Sequence, residues 1–152
     1  MLHVVLFQPS IPPNTGNIAR QCVGMNAQLH LVGPLGFDLG EKSLKRAGLD
    51  YWEHLDLVSH ESPGEFMEWV GDKRCWLISK QGTTRYDKAD YRDGDVLIFG
   101  NEISGVPDAW HAAWKDTTSY IPILGNVRSY NLSNAVALVL AQAMAKAGLY
   151  EM

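Results

Sequence analysis

The sequence predicts an α/β fold: a mainly parallel β-sheet with helices on both faces. Three observations point there. Short runs that are apolar at nearly every position recur, among them His3–Phe7 (HVVLF), Cys75–Ser79 (CWLIS) and Val96–Phe99 (VLIF). Runs of this kind suit strands covered on both faces, as in a parallel sheet. Segments with helical spacing fall between them, which is the alternation of a βαβ chain. The last such segment has the clearest period, with Leu132, Ala135, Val136, Val139, Leu140 and Ala143 on one face.

The elements follow in chain order. His3–Phe7 is the first strand, broken by Ser10-Ile11-Pro12-Pro13. Asn14-Thr15-Gly16 is placed to cap a helix reaching about Met25, with Ile18, Cys22 and Met25 on one side. Leu29–Val32 is a second strand, ended by Gly33-Pro34. Glu41–Ala47 reads as a short charged helix and Leu55–Val58 as a third strand. Pro63 opens a helix running to Val70. Cys75–Ser79 and Val96–Phe99 are strands, the second entering Gly100-Asn101-Glu102. Pro107 opens a helix carrying Trp110 and Trp114, and Ser119–Ile123 is a last strand. Small residues along the terminal helix, 131–147, allow another element to approach closely, and Gly148 ends it in the usual C-cap place.

The 152 residues are expected to form one domain, 1–152, and a hydrophobic share of 46% is enough for a packed core. Cys22 and Cys75 are far apart, with no C-x-x-C spacing, which argues against a zinc site or redox dithiol and suits a reducing cytoplasm. The N-terminus lacks a basic region followed by a long apolar one, and the longest apolar stretch, 135–141, is too short to span a bilayer. A cytoplasmic protein away from membranes is the expectation. The fingerprints G-x-G-x-x-G, G-x-x-x-x-G-K-[ST], H-E-x-x-H and G-x-S-x-G are all absent. Net charge is −4, which taken alone argues mildly against RNA. Affinity for phosphate depends on local clusters, however, and Lys42, Lys45 and Arg46 form one and Lys80, Arg85 and Lys88 another, with Arg20 and Arg128 isolated.

Three loops following strands, 8–20, 99–107 and 122–134, carry unusual polar residues, and ligands of such sheets bind beyond the carboxyl ends of strands. The first holds PPNTGNIAR, with Arg20 about one and a half turns into its helix; alone it reads as readily as a capped helix with a surface arginine. The second is FGNEISGVP. Gly100 and Gly105 permit tight turns beside a ligand, and Glu102 follows a buried strand, where a carboxylate needs a partner. A glycine-rich turn with a capping acid is the alternative. The third packs Ser129, Asn131, Ser133 and Asn134 around a helix start, more polar residues than one cap requires.

Together these segments resemble the three motifs of the SPOUT RNA methyltransferases, in their TrmH-like branch. IPPNTGNIAR, RAGLDYW, FGNEISGVP and SYNLSNAVALV are most similar to the minimal members that methylate the 2′-hydroxyl of the tRNA wobble nucleotide, cytidine or uridine. The resemblance runs from Leu2 to about Gly148. It implies a SPOUT α/β knot with a deep C-terminal trefoil knot, against the general rule. It also implies a homodimer with pockets near the subunit interface, S-adenosyl-L-methionine as cofactor, S-adenosyl-L-homocysteine as product, no metal, and the tRNA anticodon loop as partner.

By the same resemblance Ile78, Ser79 and Lys80 border the cofactor. Gly100, Asn101 and Glu102 form a second wall. Ile121 and Ile123 meet the adenine, and Ser129, Leu132 and Ser133 close the third side. Asn14, Arg20, Glu102, Ser129 and Asn131 match the functional positions, with Arg20 assigned to catalysis. A free arginine keeps its proton to about pH 12, so Arg20 is expected to hold an RNA phosphate and stabilise the developing alkoxide instead of acting as a base. Lys42, Lys45, Arg46, Arg85 and Arg20 are the expected RNA contacts, and Tyr51 or Trp52 a platform for a base, with a core role for Trp52 the stronger reading. Asn101 stands where proline is frequent in the family, and Tyr130 where methionine is common. A related activity on rRNA or another tRNA position, or a non-catalytic RNA-binding module, are the alternatives.

Overall fold

The computed structural model describes residues 1–38 and 51–151. Among them the strands β1 (His3–Phe7), β2 (Gln28–Val32), β3 (Leu57–His60), β4 (Cys75–Ile78), β5 (Thr84–Arg85), β6 (Val96–Phe99) and β7 (Thr118–Tyr120) form one sheet in the order β3-β2-β1-β6-β4-β7-β5. Every pairing is parallel. The helices are α1 (Pro12–Gly24), α2 (Pro63–Val70), α3 (Asp108–Ala113) and α4 (Leu132–Lys146).

Both faces of the sheet are covered, which is why its central strands are apolar throughout. Val4 and Leu6 of β1 pack with Leu97 of β6 against Ile18 and Cys22 of α1 and Val136, Val139 and Leu140 of α4. Val5 and Phe7, facing the other way, pack with Ile98 against Phe66 and Val70 of α2 and Trp110 of α3. Each fully buried side chain of this size contributes about 1.5–3 kcal/mol, so the sandwich of helices, sheet and helices is the main source of stability. Gly148 ends α4 with φ +71°, a left-handed conformation that glycine adopts without strain.

Several boundaries differ from the sequence reading. β3 begins at Leu57 because Trp52–His54 forms a 3₁₀ turn that takes up Leu55 as its end. β7 stops at Tyr120, so Ile121 and Ile123 lie beyond the strand. β5 is two residues long and left no periodic signal. The expected helix Glu41–Ala47 lies outside the described residues, as do Lys42, Lys45 and Arg46. Asn14 does not cap α1. The helix starts earlier, at Pro12, whose fixed φ and missing N–H suit a first turn. Ile11 is the N-cap and offers no side-chain acceptor.

On the α2 side, three histidines form a diagonal ladder across β1, β2 and β3. His3 Nδ1 lies 3.1 Å from His30 Nε2, and His30 Nδ1 lies 3.0 Å from His60 Nε2. Trp69 packs over all three rings. The tautomers follow from the far end of the chain. Asp56 can only accept, so the amide nitrogen of Gln28 faces it at 3.1 Å and the amide oxygen faces His3 Nδ1 at 2.9 Å. His3 Nδ1 therefore carries its ring's proton and shares it between the Gln28 oxygen and His30 Nε2, which accepts, and His30 Nδ1 donates to His60. Burial lowers the affinity of each ring for a second proton, and His30, which also feels His3, His60 and Lys73, is pushed down to about 3.

Candidate active site

The chain runs outward from β1 to β2 and β3, then returns to β4 on the other side of β1, leaving a gap that β6 fills. That reversal is a topological switch point, where the loops beyond adjacent strands diverge and leave room for a ligand. A cavity of about 780 Å³ opens there. Its walls come from all three loops singled out in the sequence and from the turn after β4.

From the β4 turn come Ile78 and Ser79; from the β6 loop, Gly100, Asn101 and Glu102. The segment after β7 supplies Ile121 and Ile123, then Ser129, Asn131 and Leu132 at the start of α4, and α1 supplies Asn14. Ser133 is not a lining residue. It is buried behind the rim, where its hydroxyl donates to Asn131 Oδ1. Arg20 lies outside the lining on the exposed side of α1, its guanidinium 5.4 Å from the centre of the Tyr51 ring. Arg85 is also outside, held by two hydrogen bonds to Asp87. Tyr51 donates to the Gly16 carbonyl at 3.0 Å and, with Trp52, packs against the α1 side of the core.

Glu102 is the centre of the polar geometry. Its carboxylate accepts from Ser10 N at 3.0 Å, Ile11 N at 2.9 Å and the Asn14 side-chain amide at 3.3 Å. α1 begins with two prolines and a cap residue without an acceptor, so an acid from a distant loop takes the capping role and meets the positive end of the helix dipole. Asn14, only 6% exposed, passes the chain on. Its Oδ1 accepts from Asn131 Nδ2 at 3.1 Å, and Asn131 Oδ1 caps α4 by accepting from Ser133 N at 2.9 Å. One hydrogen-bonded chain thus locks the starts of two helices and the β6 loop around a single opening.

The β6 loop is shaped by its own residues. Asn101 Oδ1 accepts from Ile103 N and Ser104 N at 2.8 and 3.0 Å, and its Nδ2 donates to the Gln8 carbonyl at 2.7 Å. This closes a tight turn in which Asn101 and Gly105 pair backbone to backbone. A Cβ at Gly100 would come within 2.7 Å of the Gly105 Cα, so no larger residue fits. The sequence reading did not single out Gly82. A Cβ there would stand 2.5 Å from the Ser119 carbonyl carbon; glycine alone lets the β4 turn lie against β7 beside the cavity. His111 of α3 also lines the opening, and no motif marked it. Cys22 and Cys75 take no part: burial pushes both thiols up to about 12, which keeps them protonated and inert.

The profile of the SpoU rRNA methylase family matches residues 1–141. The chain belongs to that family. Among curated SpoU relatives, the tRNA (cytidine(34)-2′-O)-methyltransferase of Saccharophagus degradans is 42% identical over 149 residues, covering 97% of each chain. A solved structure from work on the 2-OH methylation of C/U34 on tRNA superposes with a TM-score of 0.91 at 44% identity, covering 96% of this chain and 95% of that one. AviRb, a SpoU methyltransferase of Streptomyces viridochromogenes solved with AdoMet, superposes with a TM-score of 0.83 at 28% identity, covering 96% of this chain and 60% of that one. SpoU methyltransferases are RNA 2′-O-methyltransferases that bind AdoMet, and the parallel α/β fold described above is theirs.

Proposed function

We propose that the chain methylates the ribose 2′-hydroxyl of the wobble nucleotide, cytidine or uridine 34, in the tRNA anticodon, with S-adenosyl-L-methionine as methyl donor. The observation that carries the reading is the Glu102–Asn14–Asn131 chain, which draws three sequence-distant loops onto one cavity. The cavity suits the cofactor. Its volume falls within the usual span of about 300–1,000 Å³ for ligand sites, and half-buried Ile78, Ile121 and Leu132 give an apolar wall for an adenine. The cofactor supplies, when bound, a methyl group on a sulfonium, already activated for transfer without a metal.

The protein's own task is then alignment and charge control. Transfer would form a bond from the ribose O2′ to the methyl carbon at the expense of the donor's carbon–sulfur bond, with the hydroxyl proton leaving to solvent. Gly100, Asn101 and Ser79 hold the donor from the sheet side, and Ser129 and Asn131 border the acceptor. Arg20, always cationic, holds an RNA phosphate and stabilises oxygen as it gains charge; near-normal turnover in Arg20→Ala would remove that role. The wider reading includes one SPOUT domain with a knotted C-terminus, a cytoplasmic homodimer with its pockets near the interface, and an RNA groove using Lys42, Lys45, Arg46 and Arg85. No helix among the described residues is long and apolar enough to cross a membrane.

The test is incubation of purified protein with labelled S-adenosylmethionine and total tRNA from cells lacking the gene. Label on the 2′-oxygen of nucleotide 34 is the expected result. Label at another tRNA position or in rRNA would overturn the assigned substrate, and no label in any RNA would reduce the chain to a binding module.

A further inference from the structure

Two cations line the cavity. Lys80, after β4, and Arg128, between β7 and α4, both line it and both are exposed. Among the described residues neither has an ion-pair or hydrogen-bond partner. Most other described cations are committed, and the two that are not, Lys88 and Lys115, lie outside the cavity lining. Arg74 lies beside Asp90 and Asp95, Arg92 pairs with Asp90, and Arg85 with Asp87. Lys73 and Lys146 donate to the carbonyls of Trp69 and Ala89. In a chain of net charge −4, Lys80 and Arg128 bring positive charge to the opening, while the Glu102 carboxylate in the same lining is turned to the backbone N–H groups at the start of α1.

We propose that Arg128, with Lys80 from the β4 turn, binds the RNA phosphodiester adjoining the methylated ribose. The inference rests on the 2′-O-methylation reading above. The chemistry requires such a group: the carbon bearing O2′ neighbours the carbon that carries the 3′-phosphodiester, so presenting O2′ to the cavity brings an anion to its mouth. Arg128 stands on the outer part of the wall. Leu124 and Val127 of the same loop are 95% and 58% exposed, whereas the apolar wall formed by Ile78 and Ile121 is half-buried. The loop is nonetheless held, because the Tyr130 hydroxyl donates to the Pro122 carbonyl at 2.8 Å and so fastens the chain on both sides of Arg128. The loop thus fixes where the Arg128 side chain starts, and its free guanidinium can make two-point contact with phosphate. Arg85, by contrast, would have to break its fork with Asp87 first.

The experiment measures affinity for tRNA from cells lacking the gene, at several salt concentrations, and affinity for S-adenosylhomocysteine, for wild type, Arg128→Gln, Lys80→Gln and Lys115→Gln. Lys115 is exposed and is not among the cavity's lining residues. Arg128→Gln is expected to weaken tRNA binding about tenfold or more and to reduce the salt slope by about 0.7, the loss of one contact to a single-stranded segment. Lys80→Gln should do so less, Lys115→Gln should match wild type, and S-adenosylhomocysteine affinity should not change in Arg128→Gln. Unchanged tRNA affinity and slope in Arg128→Gln would overturn the proposal, as would loss of S-adenosylhomocysteine binding alone, which would place the cation on the cofactor's carboxylate. If both affinities fall, Arg128→Lys decides: a restored salt slope supports the phosphate contact and an unrestored one overturns it. A wild-type protein that methylates no RNA would sink the function itself; an active wild type with a silent Arg128→Gln sinks only this contact.

Discussion

The chain Glu102–Asn14–Asn131 at the carboxyl edge of the sheet and the ladder His3–His30–His60 beneath α2 each tie together segments far apart in sequence by hydrogen bonds between polar side chains. They differ in charge, exposure and neighbourhood. The edge chain contains a carboxylate, is partly open to solvent, and borders a cavity. The ladder holds three neutral rings, with His30 wholly buried and His60 7% exposed, roofed by Trp69 and outside the lining of that cavity. A mostly buried chain of hydrogen-bonded rings fixes how β1, β2 and β3 lie against α2; it specifies the fold. A chain that leaves polar atoms and a charge at an opening organises loops whose free surface meets a ligand.

Perturbing each chain should therefore give different signatures. The largest effect is expected for Glu102→Ala. It leaves Ser10 N, Ile11 N and the Asn14 amide without their acceptor and takes a negative charge from the start of α1. A stability loss of about 2–3 kcal/mol is expected by denaturant unfolding, together with loss of cofactor binding by calorimetry. Stability within about 0.5 kcal/mol of wild type would show that the carboxylate does not hold the helix. Gly100→Ala should come next. The added methyl meets Gly105 backbone at 2.7 Å, so the β6 loop must shift, at about 1–3 kcal/mol and at least tenfold in cofactor affinity. Wild-type affinity in that variant would mean that the loop yields freely.

The sequence carried most of the sheet because full burial on both faces writes itself as apolar runs: β1 and β6 have the predicted bounds, and β4 differs by one residue. The three loops were legible because polar excess after apolar runs is conspicuous, and all three reach the cavity. What could not be read was set by contacts between distant segments. Nothing around Asn14 shows that the acid capping α1 is 88 residues away, so local spacing points to the nearest polar residue as the cap. Gly82 is required by the backbone of Ser119, and the histidine ladder by the register of three strands; neither leaves a local pattern. Arg20 followed from the family resemblance and Arg85 from charge, and charge does not reveal that the fold already engages Arg85 with Asp87.

The ladder should show itself in acid. His30 keeps a folded-state value near 3 against about 6.5 unfolded. The folded state thus binds fewer protons between those values, so the ladder's stability is complete above about pH 6.5 and is lost as pH falls toward 3. From pH 7 to 5.5 His30 alone should remove about 1 kcal/mol. His30→Leu should flatten the pH dependence of the unfolding midpoint by that amount while cofactor affinity at pH 7.5 stays as in wild type. A wild-type midpoint equal at the two pH values would show that the rings take up protons without cost, and a fall in the variant's cofactor affinity would show that ladder and site are coupled.

The smallest expected effect on stability separates two roles of one residue. Asn131 both caps α4 through Oδ1 and bridges to Asn14 through Nδ2. Serine caps a helix about as well as asparagine but has no amide to reach Asn14. Asn131→Ser should therefore unfold within about 0.5 kcal/mol of wild type, because the cap survives and the lost bridge is a neutral one at a partly exposed position. If the bridge does no more than fasten α4 to α1, turnover will follow stability and change little. If it sets the angle at which the third loop meets the cavity, methyl transfer should fall at least tenfold with the unfolding curve nearly unmoved, while the same test on the ladder, where packing is all, should show the two quantities moving together.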